Sequence, residues 1–99
     1  MTLEHVIDTL QANKKVLIGE YYVKSLGIFG SYACNQQKEN SDIDFLVEFS
    51  KPDLDVFEAK YQLKSFLQRL FHKEIDLTRS EYLKPYAKSE ILSTTQYAI

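Results

Sequence analysis

The 99-residue chain predicts a small α/β domain of the α+β kind, a mixed sheet of three or four strands with helices on one face. Three observations carry that prediction. Asp42 to Phe49 alternates apolar and polar residues with the period of a half-buried strand, and Val56 to Leu70 carries an apolar stripe with the period of a helix. A third short apolar run, Glu74 to Thr78, follows that helix and so predicts a parallel crossover.

Taken in order, Leu3, Val6, Ile7 and Leu10 recur at helical spacing, and the polar stretch Gln11 to Lys15 interrupts them. Val16, Leu17 and Tyr21 then read as a further helical stretch, leaving open one bent helix or two. Ser25 to Phe29 is a strand ending abruptly in Gly30-Ser31, a tight turn, and Cys34 to Ser41 is a loop or a short helix followed by a loop. In the alternating strand, Ile43, Phe45, Val47 and Phe49 face the core, and Asp42, Asp44, Leu46 and Glu48 face away from it. Asp53 is the expected N-cap of the long helix Leu54 to Leu70, and a last helix is expected to start at Pro85, whose missing N–H costs nothing at a first helical position. The apolar tail Tyr97 to Ile99 is expected to dock on the body of the domain or on a partner. Residues 1–99 are expected to form one domain, because a core of this size does not divide.

Composition narrows the function classes. Twelve basic and fourteen acidic residues are interspersed at a net charge of -2, which argues against non-specific binding of nucleic acid. The single cysteine, Cys34, excludes an internal disulfide framework and a cysteine-based zinc site. No run has the length of a membrane span, and the acidic N-terminus lacks the basic region and apolar block of a signal peptide, so a cytoplasmic location is expected.

The chemistry concentrates in a few residues. Asp42 and Asp44 lie two apart on one strand, so both carboxylates leave the same face and can reach one ion. Their mutual repulsion is offset by a cation, and magnesium prefers oxygen ligands while keeping positions for substrate phosphates. Asp76 stands on a strand with apolar neighbours pointing the other way, and beside the first strand it could complete a two-metal arrangement, with Glu74 the competitor on its face. Gly30 lets the backbone approach a ligand closely, and Ser31 adds a hydroxyl donor for phosphate. Lys24, Lys38, Lys73 and Arg79 are further phosphate contacts to consider, none selected by spacing. The ordinary alternatives are a solvated face for Asp42, Asp44 and Asp76, and a plain turn at Gly30-Ser31. His5 and His72 lack partners at metal-ligand spacing.

Gly30-Ser31-Tyr32-Ala33, a polar spacer, Ser41-Asp42-Ile43-Asp44-Phe45-Leu46-Val47 and then Glu74-Ile75-Asp76-Leu77 resemble the signature of the minimal nucleotidyltransferase family within the DNA polymerase beta superfamily. The resemblance runs from about Lys24 through Lys84-Pro85-Tyr86 and Glu90-Ile91-Leu92 to the tail. It implies a nucleotidyltransferase-like fold, with Gly30 and Ser31 as the triphosphate-binding turn, Asp42 and Asp44 as metal ligands and Asp76 as the third catalytic carboxylate, also toward metal. It implies Mg2+ as cofactor, ATP as AMP donor, and a partner that is a helical toxin with a HEPN domain, for which such domains serve as antitoxins. The domain alone lacks a second wall for its site, which a partner or a further copy in a homo-oligomer would supply. Cys34 stands where the family usually has arginine and Asn35 where it often has glycine. A neutral thiol cannot offer the guanidinium fork to phosphate, so the departure implies weakened activity or, as the alternative, an antitoxin that acts by binding alone.

Overall fold

The computed structural model describes residues 1–51 and 55–99. Its elements are α1 (Leu3–Ala12), α2 (Lys14–Glu20), β1 (Val23–Phe29), α3 (Gly30–Ala33), β2 (Ile43–Phe49), α4 (Val56–Phe71), β3 (Ile75–Arg79), the 3-10 turn Ser80–Tyr82, α5 (Pro85–Thr94) and β4 (Gln96–Tyr97).

Asn13 separates α1 from α2, which settles the N-terminal stretch as two helices. The Thr2 side chain accepts from His5 N at 3.1 Å and so caps α1. Helix α4 is capped by Asp55, whose carboxylate accepts from Glu58 N at 3.2 Å. The expected cap, Asp53, lies outside the described residues. The helix ends at His72, in the left-handed region at φ 54°.

The four-stranded sheet has the order β3-β2-β1-β4. Strands β1 and β2 pair antiparallel, and β2 and β3 pair parallel across the α4 crossover. The tail supplies the fourth strand: β4 pairs antiparallel with β1, and Ala98 N donates to Leu26 O at 2.9 Å. A two-residue strand has too little pattern to be read from sequence.

Alternation along the strands sorts the sheet into two faces. Leu26 and Ile28, Ile43, Phe45 and Val47, and Ile75 and Leu77 point to one side, where Val6 and Leu10 of α1, Leu17 of α2 and Leu63, Leu67 and Phe71 of α4 cover them. On the other side stand Gly27 and Leu46, buried, Asp44 and Glu48, partly exposed, and Asp76, exposed. Helix α5 buries no residue. It is held by Thr95, whose hydroxyl donates to Ile91 O at 2.6 Å, and by β4 beyond it.

Gly27 is what lets the tail cross this face. A Cβ there would sit 2.5 Å from Thr95 Cγ2 and 3.0 Å from Tyr97 Cδ1. Gly27→Val should therefore displace β4 and lose about 1–3 kcal/mol of stability. Urea denaturation would measure this, and an unchanged midpoint would show that β4 contributes nothing to the fold.

Candidate active site

The site is assembled at the start of β2 and β3, where the parallel register sets Asp44 directly opposite Asp76. Asp42 is one residue before β2, exposed, and Asp44 is half-buried. Glu74 lies just outside β3, and its carbonyl accepts from Ile43 N at 3.1 Å, so its backbone closes the ladder while Asp76 faces Asp44.

From the antiparallel side, β1 delivers Phe29 opposite Asp44 and then turns at Gly30. Gly30 has φ +70°, a conformation costly for residues with a Cβ, and a Cβ there would collide with the Asp44 carboxylate, 3.1 Å from its Cγ. The glycine is thus required by the turn and by the closeness of Asp44, irrespective of any ligand. Ser31 follows in the single turn α3, where Cys34 N donates back to Gly30 O at 3.3 Å.

The electrostatics follow from this packing. Burial first, then repulsion from Asp76 and from Asp42, then a hydrogen bond with Asp76, push the Asp44 carboxyl up from 3.8 to about 6. Among the described residues, no group of three or more histidine, cysteine, aspartate or glutamate side chains is arranged so that it could hold a metal ion. Oxygen donors on adjacent strands with a surplus of negative charge suit a hard divalent ion.

The other residues singled out from sequence fall elsewhere. Lys24 pairs with Glu48 at 3.4 Å, and Lys73 donates to Glu39 O at 2.5 Å. Arg79 is opposite Val47 near the far end of β2, bound to Glu81. None of the three is part of the aspartate cluster. His5 belongs to α1 and His72 caps α4.

Beside the turn lies a cavity of about 400 Å³, bounded by Gly30, Ser31 and Cys34 on one side and by Glu90 and Thr94 of α5 on the other. Helix α5 thus supplies a second wall from within the domain, where the sequence led one to expect it from a partner or a further copy. The available signal was negative: Pro85 to Thr94 lacks an apolar stripe, as befits a helix that walls a cleft and does not pack in the core.

With the geometry described, comparison with known proteins defines the class. A solved structure named as a candidate minimal nucleotidyltransferase superposes with a TM-score of 0.77 at 24% identity, covering 96% of this chain and 94% of that one. A toxin–antitoxin structure with AMP-PNP superposes at TM-score 0.67 and 20% identity, covering the whole of this chain and 73% of that one. The fold is therefore that of a nucleotidyltransferase. Residues 10–98 match the nucleotidyltransferase domain family, and the chain belongs to it, in its minimal, MNT-type branch. Among its relatives, the protein adenylyltransferase MntA of Thermococcus cleftensis is 35% identical over 98 residues, covering 98% of this chain and 96% of that protein. A Methanocaldococcus jannaschii protein, named as a candidate protein adenylyltransferase, is 44% identical over 92 residues, with 91% of each chain covered.

Two outcomes are expected. Gly30→Ala should cost about 1–2 kcal/mol for the left-handed backbone, with a further loss from the Asp44 collision. Chemical denaturation and calorimetric metal titration would detect lower stability and weaker divalent binding together, and a fully stable variant would contradict the described turn. The Asp44 shift has a defined sign. Without metal, the folded chain holds a proton that the unfolded chain releases, so this group's contribution to stability falls as pH rises from about 4 to above 6. The melting temperature in chelator should drop across that window more in the native chain than in Asp44→Asn, and magnesium at neutral pH should restore it only in the native chain. Equal pH profiles would contradict the assignment.

Proposed function

We propose that residues 1–99 act as one domain that transfers AMP from ATP to a hydroxyl of a protein partner, with magnesium as cofactor and a HEPN-type helical toxin as the acceptor. The observation that carries this is the Asp44–Asp76 pair on parallel strands beneath the Gly30 turn. The relatives named as protein adenylyltransferases support the choice of AMP and of a protein acceptor. The fold relative captured as a toxin–antitoxin complex with AMP-PNP supports the choice of partner.

In this reading Asp42 and Asp44 hold the cation, Asp76 shares it, and the Gly30-Ser31 turn takes the triphosphate. When bound, the divalent ion supplies neutralisation of charge on the phosphoryl oxygens. Asp76 also draws the proton from the acceptor hydroxyl as that oxygen forms its bond to the α-phosphorus, while the bond from that phosphorus to the bridging oxygen breaks and pyrophosphate leaves. Ser31 orients the phosphates through its hydroxyl. Docking of the partner holds the acceptor in line, which converts an encounter into an intramolecular step and supplies much of the rate.

A second reading, binding without transfer, rests on Cys34. Its exposed thiol lies on the wall of the cavity beside Ser31, where it offers phosphate no charge. One experiment separates the two. Incubation with labelled ATP, magnesium and a HEPN-domain helical protein should label that protein. Asp76→Asn should reduce labelling by about 10²–10⁴-fold, and the Asp42→Asn, Asp44→Asn double variant should abolish it. Labelling that persists in the double variant would sink the transfer mechanism. Neutralisation of the toxin by that variant, without any labelling by the native chain, would establish the binding reading.

A further inference from the structure

Helix α4 turns an unusual face to solvent. Phe57 is 90% exposed and Tyr61 66% exposed, one turn apart, and Lys60 and Lys64 are interleaved with them. Beside the start of the helix, Val56, Phe57 and Lys60 line one wall of a groove of about 280 Å³, with Arg79 and Tyr82 as the other. That volume admits one large apolar side chain. Tyr82, itself 69% exposed, is braced in place: Arg79 stacks on its ring at 4.7 Å and donates to its hydroxyl at 3.1 Å.

The free chain carries two costs on this stripe. A phenylalanine in water forgoes its burial energy. Lys60 and Lys64 are four apart on a helix, where like charges repel, and among the described residues neither has a carboxylate partner. Glu58, the nearby acid on α4, is engaged by the Gln62 amide at 2.8 Å. Both costs are removed by one kind of occupant, which brings an apolar anchor for the groove and carboxylates for the lysines. A chain with net charge -2 that concentrates cations on one aromatic stripe selects such an occupant by charge.

We propose that this α4 stripe and its groove form a docking surface for an acidic, amphipathic helix of the protein partner. The identity of that partner rests on the proposed function, while the surface lies on the sheet face opposite Asp44 and Asp76 and takes no part in the chemistry. It grips the partner remotely, leaving the aspartate face free for the acceptor hydroxyl. The exposed aromatics are the anchors and the lysines set orientation and encounter rate.

Calorimetric titration of the full chain with a HEPN-domain helical protein, at low and at high salt, tests this. The native chain should bind, and more weakly as salt rises. Phe57→Ala should weaken binding by about 10–100-fold, and the Lys60→Glu, Lys64→Glu double variant by at least about 10-fold with a flatter salt dependence. Neither variant should lower the melting temperature, because none of the three side chains packs in the core. The Asp42→Asn, Asp44→Asn variant should bind as the native chain does, so loss of transfer in it with retained docking separates failure of the chemistry from failure of the surface. Absence of native binding, or equal affinity in both stripe variants, overturns the proposal. It is also overturned if those substitutions instead abolish self-association of the chain, or binding of a single-stranded RNA oligonucleotide, and leave the protein complex intact.

Discussion

Two carboxylates on neighbouring parallel strands, Asp44 and Asp76, stand opposite one another because β2 and β3 pair in that register and no other. A shift of one residue would turn Asp44 into the core and bring Phe45 out. What prevents the shift is the opposite face. Phe45, Val47, Ile75 and Leu77 are buried beneath α1, α2 and α4, and exposing them would cost more than the repulsion between two acids. The core therefore holds an electrostatically unfavourable pair in place, and burial of Asp44, with repulsion from Asp76 added to it, raises the Asp44 pKa to about 6. Gly30 tightens it from above by closing over the Asp44 carboxylate.

The main elements were legible because each had a strong local pattern. The alternation of β2 named Ile43, Phe45 and Val47 as core and the stripe of α4 gave its buried face, but Phe71 also packs there and Leu46, read on the outward face, is buried too; the crossover through α4 followed from element order. What escaped had weak or no periodicity. Strand β4 is two residues long, and its partner β1 is some seventy residues earlier in the chain. Helix α5 has no apolar face to announce its role as a wall. Asp55 caps α4 from a stretch where several acids compete for that place, and spacing alone cannot choose among them.

For the site, same-face spacing was enough to group Asp42 with Asp44, but the meeting of Asp44 with Asp76 needed the strand register, which sequence does not contain. Gly30 changed its meaning. Read as a place for close approach by phosphate, it proves to be demanded already by its φ and by the aspartate beneath it. Three of the cations plausible by charge are engaged elsewhere: Lys24 by Glu48, Lys73 by a backbone carbonyl, Arg79 by Glu81 and Tyr82. Cys34 adds no charge there.

The account stands or falls on the state of Asp44. Carboxyl carbon chemical shifts, followed by NMR against pH in the presence of chelator, should show Asp44 titrating near 6, with a transition displaced toward lower pH once magnesium is added. An Asp44 that titrates at its ordinary value near 3.8, or one that ignores magnesium, would contradict it.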